Sequence, residues 1–411
     1  MDLEIEFCGL LSPNPFWLAS GPPTGSAEMI IRGFEAGWGG AVYKTLALEA
    51  QPDQPNVNAS PCIVSFSYGN KKLAGLENIE LNTDRPLRQN LQDIYEIKKH
   101  FPKNPLFVSI MALPYKKDWI DLAKMVEDAG ADGLELNFSC PHSSIRGRRA
   151  GASIGQNPEL SQEITGWVRQ VTRLPIIVKL PPETSDIRSI GRAVKSGGAN
   201  AISAINTYPC ILGVDLETLN PIPTVWGYST SGGYSGPPIK PIALKKVADL
   251  ASDSEINLPI SGIGGITNWR DALEFILLGA STVQVCTWVM HYGYRIIQDF
   301  IDGVGQWMKE HNFGKITDFR GASLSRLRTQ EELDRSRFLR AEIDLSDCIK
   351  CGLCYVACRD GGHQAIFLNE ERIPSVDLKA CKGCGLCMAI CPVDCIQMTP
   401  VLYSDQLEEE S

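Results

Sequence analysis

Cys348-Ile349-Lys350-Cys351-Gly352-Leu353-Cys354-Tyr355-Val356-Ala357-Cys358 is followed by a second run, Cys381-Lys382-Gly383-Cys384-Gly385-Leu386-Cys387-Met388-Ala389-Ile390-Cys391-Pro392. Eight of the fourteen cysteines thus stand in two C-x2-C-x2-C-x3-C runs. A 4Fe-4S cubane takes four thiolates; three come from the tight loop, and the fourth cysteine of each run ligates the other cluster. The spacing predicts one cluster on Cys348, Cys351, Cys354 and Cys391, and a twin on Cys381, Cys384, Cys387 and Cys358. Zinc is the alternative, but its four-cysteine sites usually pair two C-x2-C knuckles across a longer spacer. A disulfide framework fits less well, because Met1-Asp2-Leu3-Glu4-Ile5-Glu6 lacks the basic start and apolar core of a secretion signal. The expectation is a one-electron carrier in a reducing, cytoplasmic compartment.

Outward from the cysteines, the module repeats. Asp344-Leu345 before Cys348 matches Asp377-Leu378 before Cys381, which implies the pseudo-twofold of a two-cluster ferredoxin domain over residues 341–400. The halves differ where Arg359 stands against Pro392. An acidic tail, 401–411, follows. Ahead of the module, residues 311–340 and the approach to Asp347 are polar and charged (Glu331-Glu332-Leu333-Asp334-Arg335), which reads as a helical connector.

The 411 residues, 44% of them hydrophobic, suffice for one large core with a small domain attached. No run nears the roughly 18 apolar residues of a membrane helix. A net charge of -9 argues against nucleic acid, which selects a basic face.

Residues 1–310 alternate short apolar, β-branched runs with amphipathic helical stretches. The strand candidates are Phe16–Ser20, Gly40–Thr45, Leu106–Met111, Gly133–Asn137, Pro175–Leu180, Ala199–Asn206, Pro259–Gly264 and Thr282–Cys286. Helical periodicity marks Asp118–Ala129, with Trp119, Leu122, Ala123 and Val126 on one face, and Arg270–Leu278. Eight strands alternating with helices predict an α/β TIM (β/α)8 barrel; an open doubly wound sheet is the alternative.

Barrel enzymes work at the C-terminal ends of their strands. Those ends are polar here: Lys44-Thr45, Asn137-Phe138-Ser139-Cys140, Lys179, Asn206-Thr207, Gly264-Gly265 and Cys286-Thr287. Any one could be a cap or turn. Six at one rim make a site. Gly232-Gly233-Tyr234-Ser235-Gly236 and Gly262-Ile263-Gly264-Gly265 would let backbone N-H groups approach a phosphate. No G-x-G-x-x-G opens a helix after a strand, so a mononucleotide such as FMN is expected in place of a dinucleotide.

Asn137-Phe138-Ser139-Cys140-Pro141-His142, with Lys44-Thr45, Asn206-Thr207, Ser235-Gly236 and Gly264-Gly265, resembles the FMN barrel of dihydroorotate and dihydropyrimidine dehydrogenases. With Asn78-Ile79-Glu80 and the ferredoxin module, residues 1–400 resemble the FMN and iron-sulfur subunits of bacterial NAD-dependent dihydropyrimidine dehydrogenases. The resemblance implies that Cys140 exchanges a proton at pyrimidine C5 while flavin N5 exchanges hydride with C6. A free thiol, with a pKa of about 8.5, is protonated at neutral pH and can donate. Cys8, Cys62, Cys210 and Cys286 can equally be buried small hydrophobes.

Further roles follow from the same resemblance. Asn78, Asn137 and Asn206, with Ser139 and Thr207, would line the pyrimidine edge, since amides both donate and accept. Glu80 would repel the carboxylate of orotate and tolerate neutral uracil or thymine, unless it faces solvent. Lys179 would sit near flavin N1-C2, with Lys44 also on the isoalloxazine. Ser20, Thr45, Gly236, Gly264, Gly265, Cys286 and Thr287 match the remaining FMN contacts. The loop His142–Gln156, with Arg146, Arg148 and Arg149, reads either as a lid over Cys140 or as a solvated basic loop. NAD(H) and FAD are expected on a partner oxidoreductase subunit within a hetero-oligomer. The other readings are a dihydroorotate dehydrogenase with a fused ferredoxin, and a plain electron carrier whose barrel is a docking scaffold.

Overall fold

Eight short aliphatic runs form a closed parallel barrel: β1 Phe16–Leu18, β2 Gly40–Leu46, β3 Leu106–Ile110, β4 Gly133–Asn137, β5 Ile176–Leu180, β6 Ala201–Ala204, β7 Ile260–Ile263 and β8 Thr282–Val285. The computed structural model describes residues 2–49, 57–68, 71–80, 82–139, 144–145, 148–149 and 151–402. The chain divides into two compact units, Met1–Arg326 and Leu327–Ser411. All eight expected strands are present. Each pairs in parallel with its sequence neighbours, and β8 closes on β1. The open sheet is thereby excluded.

Nearly every strand residue is buried, because one face meets the barrel interior and the other the surrounding helices. Successive side chains alternate between these faces. The interior therefore splits into two layers. Below lie Trp17, Val42, Phe107, Ile177 and Ala201, packed with Phe7. Phe7 comes from an N-terminal hairpin, Ile5–Phe7 with Leu10–Ser12, and meets Trp17 edge-on at 5.3 Å. Two positions further along the strands come Lys44, Ser109, Lys179 and Ser203, a polar layer just under the rim.

The helices carry the apolar stripes read from the sequence. Lys116–Asp128 buries Trp119, Leu122, Ala123 and Val126, and Trp269–Leu277 is capped by Asn268, which accepts from the N-H groups of Arg270 and Asp271. An antiparallel sheet, not foreseen, lies outside the barrel order: Tyr208–Cys210, Gly232–Ser235, Lys71–Asn78 and Ile63–Tyr68, side by side. Most of the glycine-rich stretch before Gly236 is thus strand and not loop.

The charged connector is not an α-helix. Residues 311–336 form three 3-10 turns, Ile316–Asp318, Leu324–Arg326 and Gln330–Glu332. The physical reason is aromatic: Phe313 and Phe319 gather on Trp307 at 5.6 and 5.1 Å, and Ile316 and Phe319 are buried. In the second unit, Arg337–Ile343 pairs antiparallel with Ile396–Leu402, and Ile366–Leu368 with Pro374–Val376. Helices Leu353–Gly361 and Leu386–Ala389 each begin after a left-handed glycine, Gly352 and Gly385, between ligand-spaced cysteines.

Candidate active site

One cleft opens at the C-terminal rim of the barrel. It gathers residues from nearly every strand end. Ser20, Lys44, Thr45, Asn137, Lys179, Asn206 and Thr207 line it, as do Gly236, Gly264, Gly265, Cys286 and Thr287. Asn78 and Glu80 reach it from the end of the outer sheet's Lys71–Asn78 strand and the residues just after it. Cys140 lies outside the described residues, as do 141–143, 146–147 and 150 of the expected lid. Of that loop, Ser144–Ile145 pairs with Arg148–Arg149, and Gly155 donates its N-H to the Phe138 carbonyl at 3.1 Å.

The polar groups are tied into a chain across the rim. Asn137 Nδ2 donates to Thr45 Oγ1 at 3.1 Å, and Thr45 Oγ1 also contacts Ser109 Oγ at 2.9 Å and Ser20 Oγ at 3.2 Å. Asn206 Nδ2 donates to the Ser139 carbonyl at 2.8 Å, while its Oδ1 accepts from Thr207 N-H at 2.9 Å. Such a network holds amides in place before a ligand arrives. Ser139, expected at the substrate edge, lies beneath it: it is buried, and its hydroxyl donates to Asn137 Oδ1 at 3.1 Å.

Two ion pairs set the electrostatics. Lys44 Nζ lies 3.1 Å from Glu80 Oε2, and Asn78 Nδ2 donates to the same oxygen at 3.2 Å. Glu80 therefore faces the cleft and not solvent. Its charge is largely offset by Lys44, which weakens the repulsion expected for a carboxylate substrate. Deeper, Lys179 Nζ stands 3.7 Å from Glu135 Oε1, with both groups almost wholly buried. Glu135 Oε2 accepts from Ser203 Oγ at 2.9 Å, whereas Oε1 has no hydrogen-bond partner among the described residues. Burial pushes the Cys286 thiol up to about 11 despite nearby Lys179 and Lys44.

Glu135, Ser109, Ser203 and Gln284 escaped the sequence reading. Their signal was present: each is a polar residue inside a short, wholly buried parallel strand. The glycines also have a packing role. Gly264 and Gly265 have positive φ, and a Cβ there would strike Ala243 and Lys240, so they let the rim loop close on helix Lys240–Ala251. Gly21 is a second close approach, since its Cβ would lie 2.6 Å from Cys286 Sγ.

The second unit holds two smaller cavities. Cys358, Cys381, Cys384 and Cys387 line one; Cys348, Cys351, Cys354 and Cys391 line the other. Each fourth cysteine has crossed to the opposite run's loop. Two thiol-walled voids with crossed donors fit a cubane in each.

A family model, dihydroorotate dehydrogenase, matches residues 2–308. The chain belongs to the dihydroorotate dehydrogenase family. A second model, the 4Fe-4S dicluster domain, matches residues 341–398. Among relatives, the chain is 39% identical, over 98% of its length and 96% of the relative's, to the NAD-dependent dihydropyrimidine dehydrogenase subunit PreA of Escherichia coli K12. It is 40% identical to the chloroplastic dihydropyrimidine dehydrogenase (NADP(+)) of Arabidopsis thaliana, over 81% of this chain and 79% of that one. The catalytic subunit of dihydroorotate dehydrogenase B (NAD(+)) from Pyrococcus abyssi is 36% identical over 78% of this chain and 99% of its own. This dihydroorotate dehydrogenase family member is thus an oxidoreductase, with a flavin-type barrel followed by a 4Fe-4S dicluster domain. No helix among the described residues is long and apolar enough to cross a membrane.

Proposed function

We propose that the chain is the catalytic subunit of an NAD-dependent dihydropyrimidine dehydrogenase, which reversibly reduces the 5,6 double bond of uracil or thymine. The carrying observation is the ring of amides, Asn78, Asn137 and Asn206, converging with Glu80 on one cleft. An electron carrier has no use for such a rim. FMN, when bound, would supply the hydride chemistry at the pyrimidine 5,6 double bond. Lys179, buried and facing the cleft, suits the N1-C2 side of the flavin, where negative charge gathers on reduction. Ser20, Lys44, Thr45, Gly236, Gly264, Gly265, Cys286 and Thr287 are assigned the remaining cofactor contacts.

Asn78, Glu80, Asn137, Asn206 and Thr207 orient the base, and Ser139 steadies Asn137 from below. Cys140, which follows Ser139 in the motif, is assigned proton exchange at C5. The eight crossed cysteines are assigned as ligands of two 4Fe-4S clusters. Those clusters connect the barrel's chemistry to an FAD- and NAD(H)-binding partner subunit, a reading supported by the word subunit in the name of the Escherichia coli relative. Clusters and free thiols suit the reducing cytoplasm.

Dihydroorotate is the second candidate substrate, favoured by the Lys44–Glu80 pair, which mutes the charge that would reject a carboxylate. The test is anaerobic bleaching of the bound flavin by 5,6-dihydrouracil and by dihydroorotate, side by side. Faster bleaching by dihydrouracil is expected. No bleaching by either reductant would sink the enzyme reading, and a preference for dihydroorotate would replace the substrate.

A further inference from the structure

The cavity lined by Cys348, Cys351, Cys354 and Cys391 has a fifth cysteine on its wall, Cys395. Cys395 is 6% exposed, and its Sγ lies 3.5 Å from Cys391 Sγ. That distance is far beyond the roughly 2.05 Å of a disulfide and within reach of an S-H···S hydrogen bond. Cys348 lines the same cavity. Cys395 therefore stands against one of the four ligands expected on one cluster, while belonging to neither C-x2-C-x2-C-x3-C run.

The twin cavity is built otherwise. Its lining contains only its four ligand-spaced cysteines. The 33-residue repeat sets Gly362 against Cys395, so the corresponding position offers no thiol. Cys358, the counterpart of Cys391, instead accepts the backbone N-H of Ala365 at 3.2 Å.

A cysteine that ligates iron does so as a thiolate, which accepts hydrogen bonds and cannot donate them. With Cys391 on a cluster, the proton between the two sulfurs must belong to Cys395. Hydrogen bonds to cluster sulfurs favour the reduced, more negative state and raise the reduction potential.

We propose that Cys395 is a positioning residue that donates S-H to Cys391 and raises the potential of the cluster on Cys348, Cys351, Cys354 and Cys391. The inference rests on the two-cluster reading above. No new bond is formed, and Cys395 stays protonated.

The test is anaerobic potentiometric reduction of the whole purified protein, followed by electron paramagnetic resonance, in wild type, Cys395→Ala and Cys395→Ser. Iron and acid-labile sulfide are measured for each. In Cys395→Ala one cluster step should move to lower potential while the other stays in place, at full iron and sulfide content. Cys395→Ser keeps a hydroxyl donor and should move less. Steps that stay in place in Cys395→Ala, or a step that moves to higher potential, would overturn the proposal. So would loss of a cluster from both variants, which would make Cys395 a ligand. Iron and sulfide missing from wild type would instead defeat the two-cluster reading itself.

Discussion

Lys44 Nζ and Glu80 Oε2 meet at 3.1 Å on the wall of the cleft, with side chains only 13% and 16% exposed. The pair joins a barrel strand end to the second residue after the outer sheet's Lys71–Asn78 strand. Its partial burial strengthens the attraction over that of a surface pair and makes either charge felt by whatever binds beside it.

Replacing Glu80 with Gln should release Lys44 as an uncompensated cation in the cleft. Dihydroorotate oxidation should then rise relative to dihydrouracil oxidation by about tenfold, the equivalent of roughly 1.4 kcal/mol. Rates of anaerobic flavin bleaching by the two reductants give the ratio. An unchanged ratio would show that Glu80 does not discriminate between them.

Lys179→Met should leave Glu135 fully buried with no cation beside it. Breaking such a pair from one side costs about 3–5 kcal/mol, whereas removing both charges is far milder. Urea unfolding should therefore rank Lys179→Met well below wild type, with the double variant Lys179→Met/Glu135→Gln recovering most of the loss. Equal stability of the single and double variants would contradict the pairing.

Gly21→Ala should crowd the Cys286 sulfur, because the added Cβ falls 2.6 Å from it. Overpacking of this kind costs roughly 1–3 kcal/mol. Thermal denaturation and flavin content should both fall. Cys286→Ala in the same chain should restore them by vacating the space, and failure of that rescue would place the strain elsewhere.

Cys140→Ala should abolish turnover while flavin and iron content stay at wild-type levels. Cys140→Ser should retain only weak activity, since a hydroxyl is a poorer acid and base near neutral pH. Steady-state assays with cofactor analysis check both. Loss of flavin from the alanine variant would recast Cys140 as structural.

Strand placement in the barrel was legible because each stave is a contiguous apolar run whose burial on both faces leaves a local signature. The rim was legible for the same reason: polar residues end those runs. The cysteine spacing carried the crossed sets of four cysteines that line the two cavities, since a three-cysteine loop cannot close a cubane alone. Glu135 shows the limit. It sits in Gly133–Asn137, one of the best-read strands, yet its meaning depends on Lys179 from the next strand. The outer sheet joins Lys71–Asn78 to Gly232–Ser235 across more than 150 residues, and a buried Glu77 binds it by accepting the N-H groups of Gly232 and Leu212 at 2.8 and 2.9 Å. Residues 311–336 were misread because their charge outweighs a few aromatics whose stacking on Trp307 appears only in three dimensions.

By itself, the order of residues determined what depends on periodicity and short spacing: eight parallel strands, a polar rim, two cysteine loops and their exchange of a fourth cysteine. Only the tertiary structure decided which charges neutralise one another, that Glu80 faces the cleft already paired with Lys44, that Ser139 lies beneath Asn137, and that Cys395 stands against Cys391. Those relations join side chains brought together by packing, and no local pattern along the chain encodes the distance between them.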